Sequence, residues 1–367
     1  MASVSSGIAV TKIFTSPPLL GFLPVAAHFE LFDILVQCGK PVTGEEIVSI
    51  YKSGPREENK GPVPGLPLIQ DSLHAMAGLS LIDAPAENTY CPNAMTQHLV
   101  AQPSALHGGI HFSTEILLAS AFLFPKLQAS NFSYPFRECE TPMQFAHQCM
   151  GNQEYARMHT YAIMAEEGRM DSFNTFMTSK FFDVESNAVR LQKLGYDIGS
   201  VLKSVREDGA KMVDIGGGRG EMLLDFRDAL PDLELTDSDL VVEEFNDDIG
   251  DIPGITLVRW DYKSECPQPI KGAVIYHLAH VVHNLPDLDA VRLLKKIRDA
   301  MAPYSRILVH EMARSTDMAF LHAAMMVLFG GRERSPAEFG ELAKEAGLRV
   351  TFEAFPKFGD GVMELMM

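Results

Sequence analysis

The chain of 367 residues has one tryptophan and five cysteines, Cys38, Cys91, Cys139, Cys149 and Cys266. Their number is odd and no two stand at CxxC spacing. This excludes a CxxC redox motif or a paired-cysteine zinc site, and reads as reduced thiols in a cytoplasmic protein. Basic residues are also few: 31 against 48 acidic ones, a formal net charge of −17. Such a surface repels phosphate backbones and anionic lipid, so neither nucleic acid nor a membrane is an expected partner. No uninterrupted apolar run reaches the ~20 residues that a membrane span requires. The segment Pro17–Ala27 (PPLLGFLPVAA) lacks a charged start and is broken by prolines, so it reads as folded domain rather than targeting signal. Internal repeats and low-complexity tracts are absent too.

What is present is an apolar fraction of 46%, enough for a sizeable core, on a chain long enough for two domains. Leu19 to Gly39 has apolar residues at helical spacing. Thr43-Gly44-Glu45-Glu46 fits a capping box that opens a second helix through Tyr51. The polar, proline-rich stretch Ser53–Pro67 predicts a loop, Leu68–Leu79 a third helix, and Leu81–Tyr90 a hairpin. Three helices and then a hairpin is winged-helix order. From Pro103 to Val201 the patterns are mostly helical.

The character changes at Lys211. Short apolar segments, Met212–Ile215, Leu233–Leu235, Ile255–Val258, Ala273–Tyr276 and Ile307–His310, alternate with helices. That alternation predicts a parallel, doubly wound sheet. Asp287 can cap a helix through Met301, and Ser335-Pro336-Ala337-Glu338 is a capping box whose helix closes at Gly347. Two strand-like pieces, Arg349–Phe355 and Val362–Met366, follow. The expected fold class is therefore α/β: a winged-helix domain over 1–102, a helical connecting and pocket region over 103–200, and a Rossmann-like domain over 201–367.

Chemistry concentrates at the predicted strand ends. Lys211–Gly220 reads KMVDIGGGRG and runs into a helix. Gly216 and Gly218 let the backbone approach a ligand closely. Asp214 suits a cationic or amine-bearing ligand better than a pyrophosphate. Asp239, with Asp237 as alternative, is read as the acid that accepts ribose hydroxyls after the second strand. Asp261, between Trp260 and Tyr262, is read as the acid that meets an adenine amine. After the fourth strand come His277, His280 and His283. A histidine there can act as a general base, since its unperturbed pKa is ~6.5. No metal is expected, because a strand end passing into a loop need not put three histidines on one face. Glu311 and Glu333 are carboxylates that could fix an imidazole tautomer.

The order of these motifs resembles the plant and fungal small-molecule O-methyltransferases over nearly the whole chain. The glycine loop, Asp239, Asp261, Pro267-Gln268-Pro269, the His-x-x-Pro-Asp step, Met301-Ala302-Pro303, Glu311 and Gly-Gly-Arg-Glu-Arg-Ser carry the likeness. The resemblance implies S-adenosylmethionine (SAM) as cofactor and a winged-helix domain that pairs two subunits into a homodimer. It implies His283 as base, oriented by Glu311 and Glu333, acting on a hydroxyl of an aromatic or polyketide-like molecule in secondary metabolism. Asn174, Met177 and residues of Met318–Leu328, Met325 among them, fall where that family lines its acceptor pocket. Two steps depart from its pattern. His283-Asn284-Leu285-Pro286 stands where the family has His-Asp-Trp-Pro, and Asp239-Leu240-Val241 where it has Asp-Leu-Pro. Fungal relatives such as the leporin pericyclase change residues at the first step and draw a histidine from the preceding helical region. Asn284, with His107 or His111, would serve such a pericyclase here.

Overall fold

The computed structural model describes residues 6–53, 63–179, 186–204, 209–245, 250–357 and 359–367. Residues 54–62 of the expected loop lie outside these. Packing divides the chain into two units, Met1–Ala121 with Tyr161–Asp183, and Phe122–Thr160 with Val184–Met367. The stretch 103–200, expected as one connecting region, is shared between them.

In the first unit the single helix expected over Leu19–Gly39 is interrupted. The chain instead forms Ser6–Leu20, Leu23–His28 and Leu31–Cys38. The last break is a left-handed Glu30 (φ 51°). The capping box is present: the Glu46 carboxylate accepts from the Thr43 N–H at 2.7 Å, and the Thr43 hydroxyl accepts from the Glu46 N–H at 3.3 Å. It opens the helix Gly44–Ser53, and Leu66–Gly78 follows. Strands β1 (Val42–Thr43), β2 (Asp83–Ala86) and β3 (Thr89–Cys91) form a small antiparallel sheet in the order β1-β3-β2. The helices close over Leu35, Ile47, Ile69, Leu73 and Met76, all buried. One run, Pro103–Ala129, corrects the sequence reading: it is long and apolar enough to cross a membrane, with mean hydropathy 1.2 over its best window. It also carries Glu115, which is buried and paired with Arg169 at 2.8 Å. A buried ion pair suits a helix packed within protein better than one facing lipid.

The second unit is built on a seven-stranded sheet in the order β6-β5-β4-β7-β8-β10-β9. Its strands are β4 (Met212–Ile215), β5 (Leu240–Glu244), β6 (Thr256–Arg259), β7 (Ile275–Ala279), β8 (Arg306–Met312), β9 (Arg349–Ala354) and β10 (Asp360–Met366). The first five run parallel, and β9 and β10 pair antiparallel at the edge. Alternation along each strand fills both faces. Val213, Ile215, Tyr276 and Leu278 enter one core, and Met212, Leu240, Val242 and Ile275 enter the other.

The second strand is a correction. Leu233, expected to open it, ends a short 3₁₀ turn (Pro231–Leu233), and β5 starts only at Leu240. Between them the Asp239 carboxylate accepts from the Thr236 N–H at 2.8 Å and from its hydroxyl at 2.6 Å. A side chain that satisfies nearby backbone in this way favours a turn over a strand.

Candidate active site

β7 leaves the sheet between β4 and β8 and passes into a single 3₁₀ turn, Val282–Asn284, before the helix Asp287–Arg298. His283 sits on that turn. Its Nδ1 lies 2.9 Å from Glu333 Oε1 and 3.6 Å from Glu311 Oε2. Glu311 is fully buried near the end of β8, and its Oε1 accepts from the N–H groups of Val282 and His283 at 2.8 and 3.2 Å. One carboxylate thus holds the backbone of the turn and the other holds the ring. Since a carboxylate only accepts, His283 donates through Nδ1, which makes Nε2 the basic nitrogen of the neutral ring. Burial works against the charge of Glu333, but His283 beside it, with His280 and His322, holds the carboxyl below its usual range.

The turn is clamped from behind by Arg334, which the sequence reading missed. Arg334 is fully buried; it donates to the carbonyls of Val282 (2.8 Å) and Leu285 (2.7 Å) and to the Asp287 carboxylate (2.8 Å). Gly331 packs so closely that a Cβ there would fall 2.2 Å from the His283 carbonyl oxygen. The signal was the segment GGRERS, of which only Glu333 was singled out. Asn284 donates from its amide to the His280 carbonyl at 3.1 Å, a bond inside the turn.

The strand ends of β4 to β6 carry the acids. Asp214 is buried, and its Oδ2 would lie 2.6 Å from a Cβ on Gly217. Gly218 adopts φ 55° and a Cβ on it would meet nothing within 4 Å, so the loop opens outward there. Glu244, the last residue of β5, accepts from the Gly218 N–H at 3.2 Å. In the parallel register Ile215 stands opposite Glu243, and Met212 opposite Leu240. Asp239 and Asp237 therefore lie at the amino end of β5, away from the glycine loop; Glu244 occupies the place expected for Asp239. Asp261 and Tyr262 follow β6 as expected. Asp261 accepts from the Lys263 N–H at 2.9 Å, and Tyr262 sits between Trp260 (6.3 Å, edge-on) and the Lys263 ammonium (5.6 Å). Acid, glycine backbone, acid and aromatic ring at successive strand ends suit a cationic nucleoside with an amine and ribose hydroxyls.

A chain of buried histidines runs beneath these groups. Asp214 and His277 face each other in register across β4 and β7, with Oδ1 and Nδ1 2.9 Å apart. His277 Nε2 lies 3.3 Å from His310 Nδ1, and His310 Nε2 lies 3.3 Å from Arg190 Nη2. Arg190 can only donate, which fixes one direction: Arg190 to His310, His310 to His277, His277 to Asp214. Burial holds His310 well below the usual histidine range, in keeping with its neutral form.

Donor atoms of His280, His283 and Glu311 lie within 4.8 Å of one another. The bonds given above already engage His283 and Glu311 of this group. Of the remaining expected residues, Asn174 and Met177 lie on the helix Met170–Ser179 of the first unit, and Met325 on Ala319–Phe329 of the second. His111 is buried in the first unit, 3.2 Å from Glu115. His107 accepts from or donates to the Ser172 hydroxyl at 2.7 Å, and burial lowers its pKa.

An O-methyltransferase domain matches residues 150–349. The chain belongs to this O-methyltransferase family, whose members use SAM. O-methyltransferase bfoE of Aspergillus brasiliensis is 44% identical over 98% of this chain and 96% of that protein. The solved structure of OxaC with SAH and oxaline covers 100% of this chain and 88% of that one at 18% identity, with a TM-score of 0.81. LepI in complex with SAM covers 99% and 90% at 19% identity, with a TM-score of 0.79. The two structures share the fold, and the Aspergillus relative shares the activity class: this chain is a SAM-dependent O-methyltransferase.

Proposed function

We propose that the protein methylates a phenolic or enolic hydroxyl of an aromatic or polyketide-like small molecule in secondary metabolism, with His283 as general base. The observation that carries this reading is the His283 ring, tethered at Nδ1 by Glu333 at 2.9 Å on the carboxyl side of the sheet. Its Nε2 takes the hydroxyl proton, and Glu333 and Glu311 stabilise the imidazolium that forms. Asp214, Gly216, Gly218, Glu244, Asp261 and Tyr262 hold SAM, with Glu244 on the ribose hydroxyls and Asp261 and Tyr262 at the adenine. When bound, SAM supplies a methyl group on a sulfonium, ready for transfer to oxygen. Met325, on the helix Ala319–Phe329, contributes to the acceptor pocket. The alternative, a pericyclase that keeps SAM without using its methyl, is the weaker reading. Of the two histidines it could draw on, His111 is buried and tied to Glu115, which Arg169 holds in turn at 2.8 Å, and His107 is bonded to the Ser172 hydroxyl at 2.7 Å.

The protein is proposed to act as a homodimer paired through its first unit. The helix Ser6–Leu20 has no buried residue, and Ile13 and Phe14 are 68% and 76% exposed. A soluble protein rarely leaves such residues adjacent to solvent without a partner. Sedimentation of a Phe14→Glu variant as monomer, with the parent as dimer, is the expected result.

The test of the activity is transfer of labelled methyl from SAM to a panel of phenolic and polyketide acceptors by the parent and by His283→Ala. The expected outcome is label in at least one acceptor, a fall of about 10²–10⁴ in turnover for the variant, and unchanged SAM affinity. Normal turnover in the variant would remove His283 as base.

A further inference from the structure

The glycine loop is fixed on its β5 flank by backbone donors. The Gly216 N–H donates to the Glu243 carbonyl at 2.8 Å, and the Gly218 N–H to the Glu244 carboxylate at 3.2 Å. On the β7 flank the tie is a pair of side chains. Asp214 and His277 are register partners on neighbouring parallel strands, so both leave the sheet on the same face. Both are buried, Asp214 at 2% exposure and His277 at 0%. Asp214 Oδ1 lies 2.9 Å from His277 Nδ1. A carboxylate only accepts, so Nδ1 donates whether the ring is neutral or charged. That bond engages one carboxylate oxygen and turns the other, Oδ2, toward the loop, where a Cβ on Gly217 would fall 2.6 Å from it. The imidazole is itself held. Its Nε2 lies 3.3 Å from His310 Nδ1, and Phe226 meets the ring edge-on at 5.8 Å. Phe226 belongs to the helix Glu221–Ala229, which the glycine loop opens. Beyond His310, Arg190 Nη2 meets His310 Nε2 at 3.3 Å, Asp360 Oδ2 at 3.0 Å and Asn187 Oδ1 at 2.6 Å.

We propose that His277 is a positioning residue for the SAM site: its Nδ1–H pins Asp214 so that the second carboxylate oxygen stays beneath the glycine loop and keeps that loop in its binding shape. A buried carboxylate without a donor is costly and turns to find one. The nearest alternatives are the N–H groups of the loop itself, and a carboxylate that captured them would draw the loop inward. His277 removes that choice, because its ring is packed by Phe226 and turned by His310 before SAM arrives. A site whose polar groups are fixed in advance spends less binding energy on ordering them. His277 lies beneath the loop and acts through Asp214 alone.

This inference rests on Asp214 and the glycine loop as part of the SAM site. The experiment is calorimetric titration of SAM into the parent, His277→Leu, His277→Asn, Asp214→Ala and the double variant Asp214→Ala with His277→Leu. Asn places its amide nitrogen where Nδ1 stands and keeps the donor; Leu fills more of the ring's space and has none. Positioning therefore ranks Asn above Leu, and mere packing against Phe226 ranks Leu above Asn. His277→Leu should raise the dissociation constant at least about tenfold, and His277→Asn should stay within about threefold of the parent. On the Asp214→Ala background the Leu change should add less than about twofold, since its target is gone. Parent-like binding in His277→Leu, Asn no better than Leu, or an undiminished loss on the Asp214→Ala background would overturn the proposal. If the variants do not fold, nitrogen-15 NMR of the histidine-labelled parent decides. A proton on His277 Nδ1 whose resonance moves on adding SAM is expected; a bare Nδ1, or a resonance that SAM leaves in place, overturns it. Failure of the underlying site reading looks different: Asp214→Ala would then bind SAM as the parent does, and the inference would fall with it.

Discussion

The ribose acid is the sharpest point on which sequence and structure part, and one pair of variants separates them. Glu244 ends β5 beside the glycine loop; Asp239 precedes the strand's first residue. Five residues of strand at ~3.3 Å each put them about 16 Å apart. One side chain cannot replace the other. A hydrogen bond to a charged acceptor contributes roughly 1.5–3 kcal/mol net. Glu244→Gln keeps one acceptor oxygen and loses the charge, and it also loosens the bond from the Gly218 N–H. The expected loss is about 2–3 kcal/mol, or roughly a 30- to 150-fold rise in the dissociation constant for SAM. Asp239→Asn disturbs only a turn with Thr236 and should leave binding within about twofold. Isothermal titration of SAM into both variants measures this directly. Weaker binding in Asp239→Asn, or parent-like binding in Glu244→Gln, would refute the assignment of the strand ends.

Three further outcomes follow from buried groups. Arg334→Met leaves the carbonyls of Val282 and Leu285 without their donor, and chemical denaturation should show a loss of about 3 kcal/mol together with lower turnover. Gly331→Ala pushes a methyl into the His283 backbone, so turnover should fall at least tenfold in a labelled-methyl assay while SAM affinity holds. Glu243 is buried against Gln268 at 2.7 Å, and burial pushes its pKa up to about 7 despite that bond. A carboxyl whose folded pKa is raised binds protons more readily when folded, so its penalty is absent below pH ~4.5 and grows until about pH 7. Glu243→Gln should therefore stabilise the protein at pH 8 by on the order of 3 kcal/mol and do little at pH 4; equal shifts in melting temperature at both pH values would contradict the assignment.

The sequence by itself determined whatever depends on neighbours in the chain. The Thr43 and Ser335 capping boxes, the hairpin at β2 and β3, β4 with its glycine loop, and the doubly wound alternation after Lys211 are local patterns of hydrogen bonding and periodicity, and the structure has them. The set His283, Glu311 and Glu333 was legible because each lies in a recognisable segment. Tertiary structure decided what depends on register. Which acid of TDSDLVVEE ends the second strand is set by the pairing of Met212 with Leu240, five residues from the end that sequence alone suggested. Two adjacent glutamates, Glu243 and Glu244, are buried in that strand, and no apolar pattern announces a buried acid. Arg334 looks like a surface arginine until the turn Val282–Asn284 closes over it and takes its hydrogen bonds. Charge is compensated across strands and loops distant in sequence, and only the folded chain brings those partners within reach.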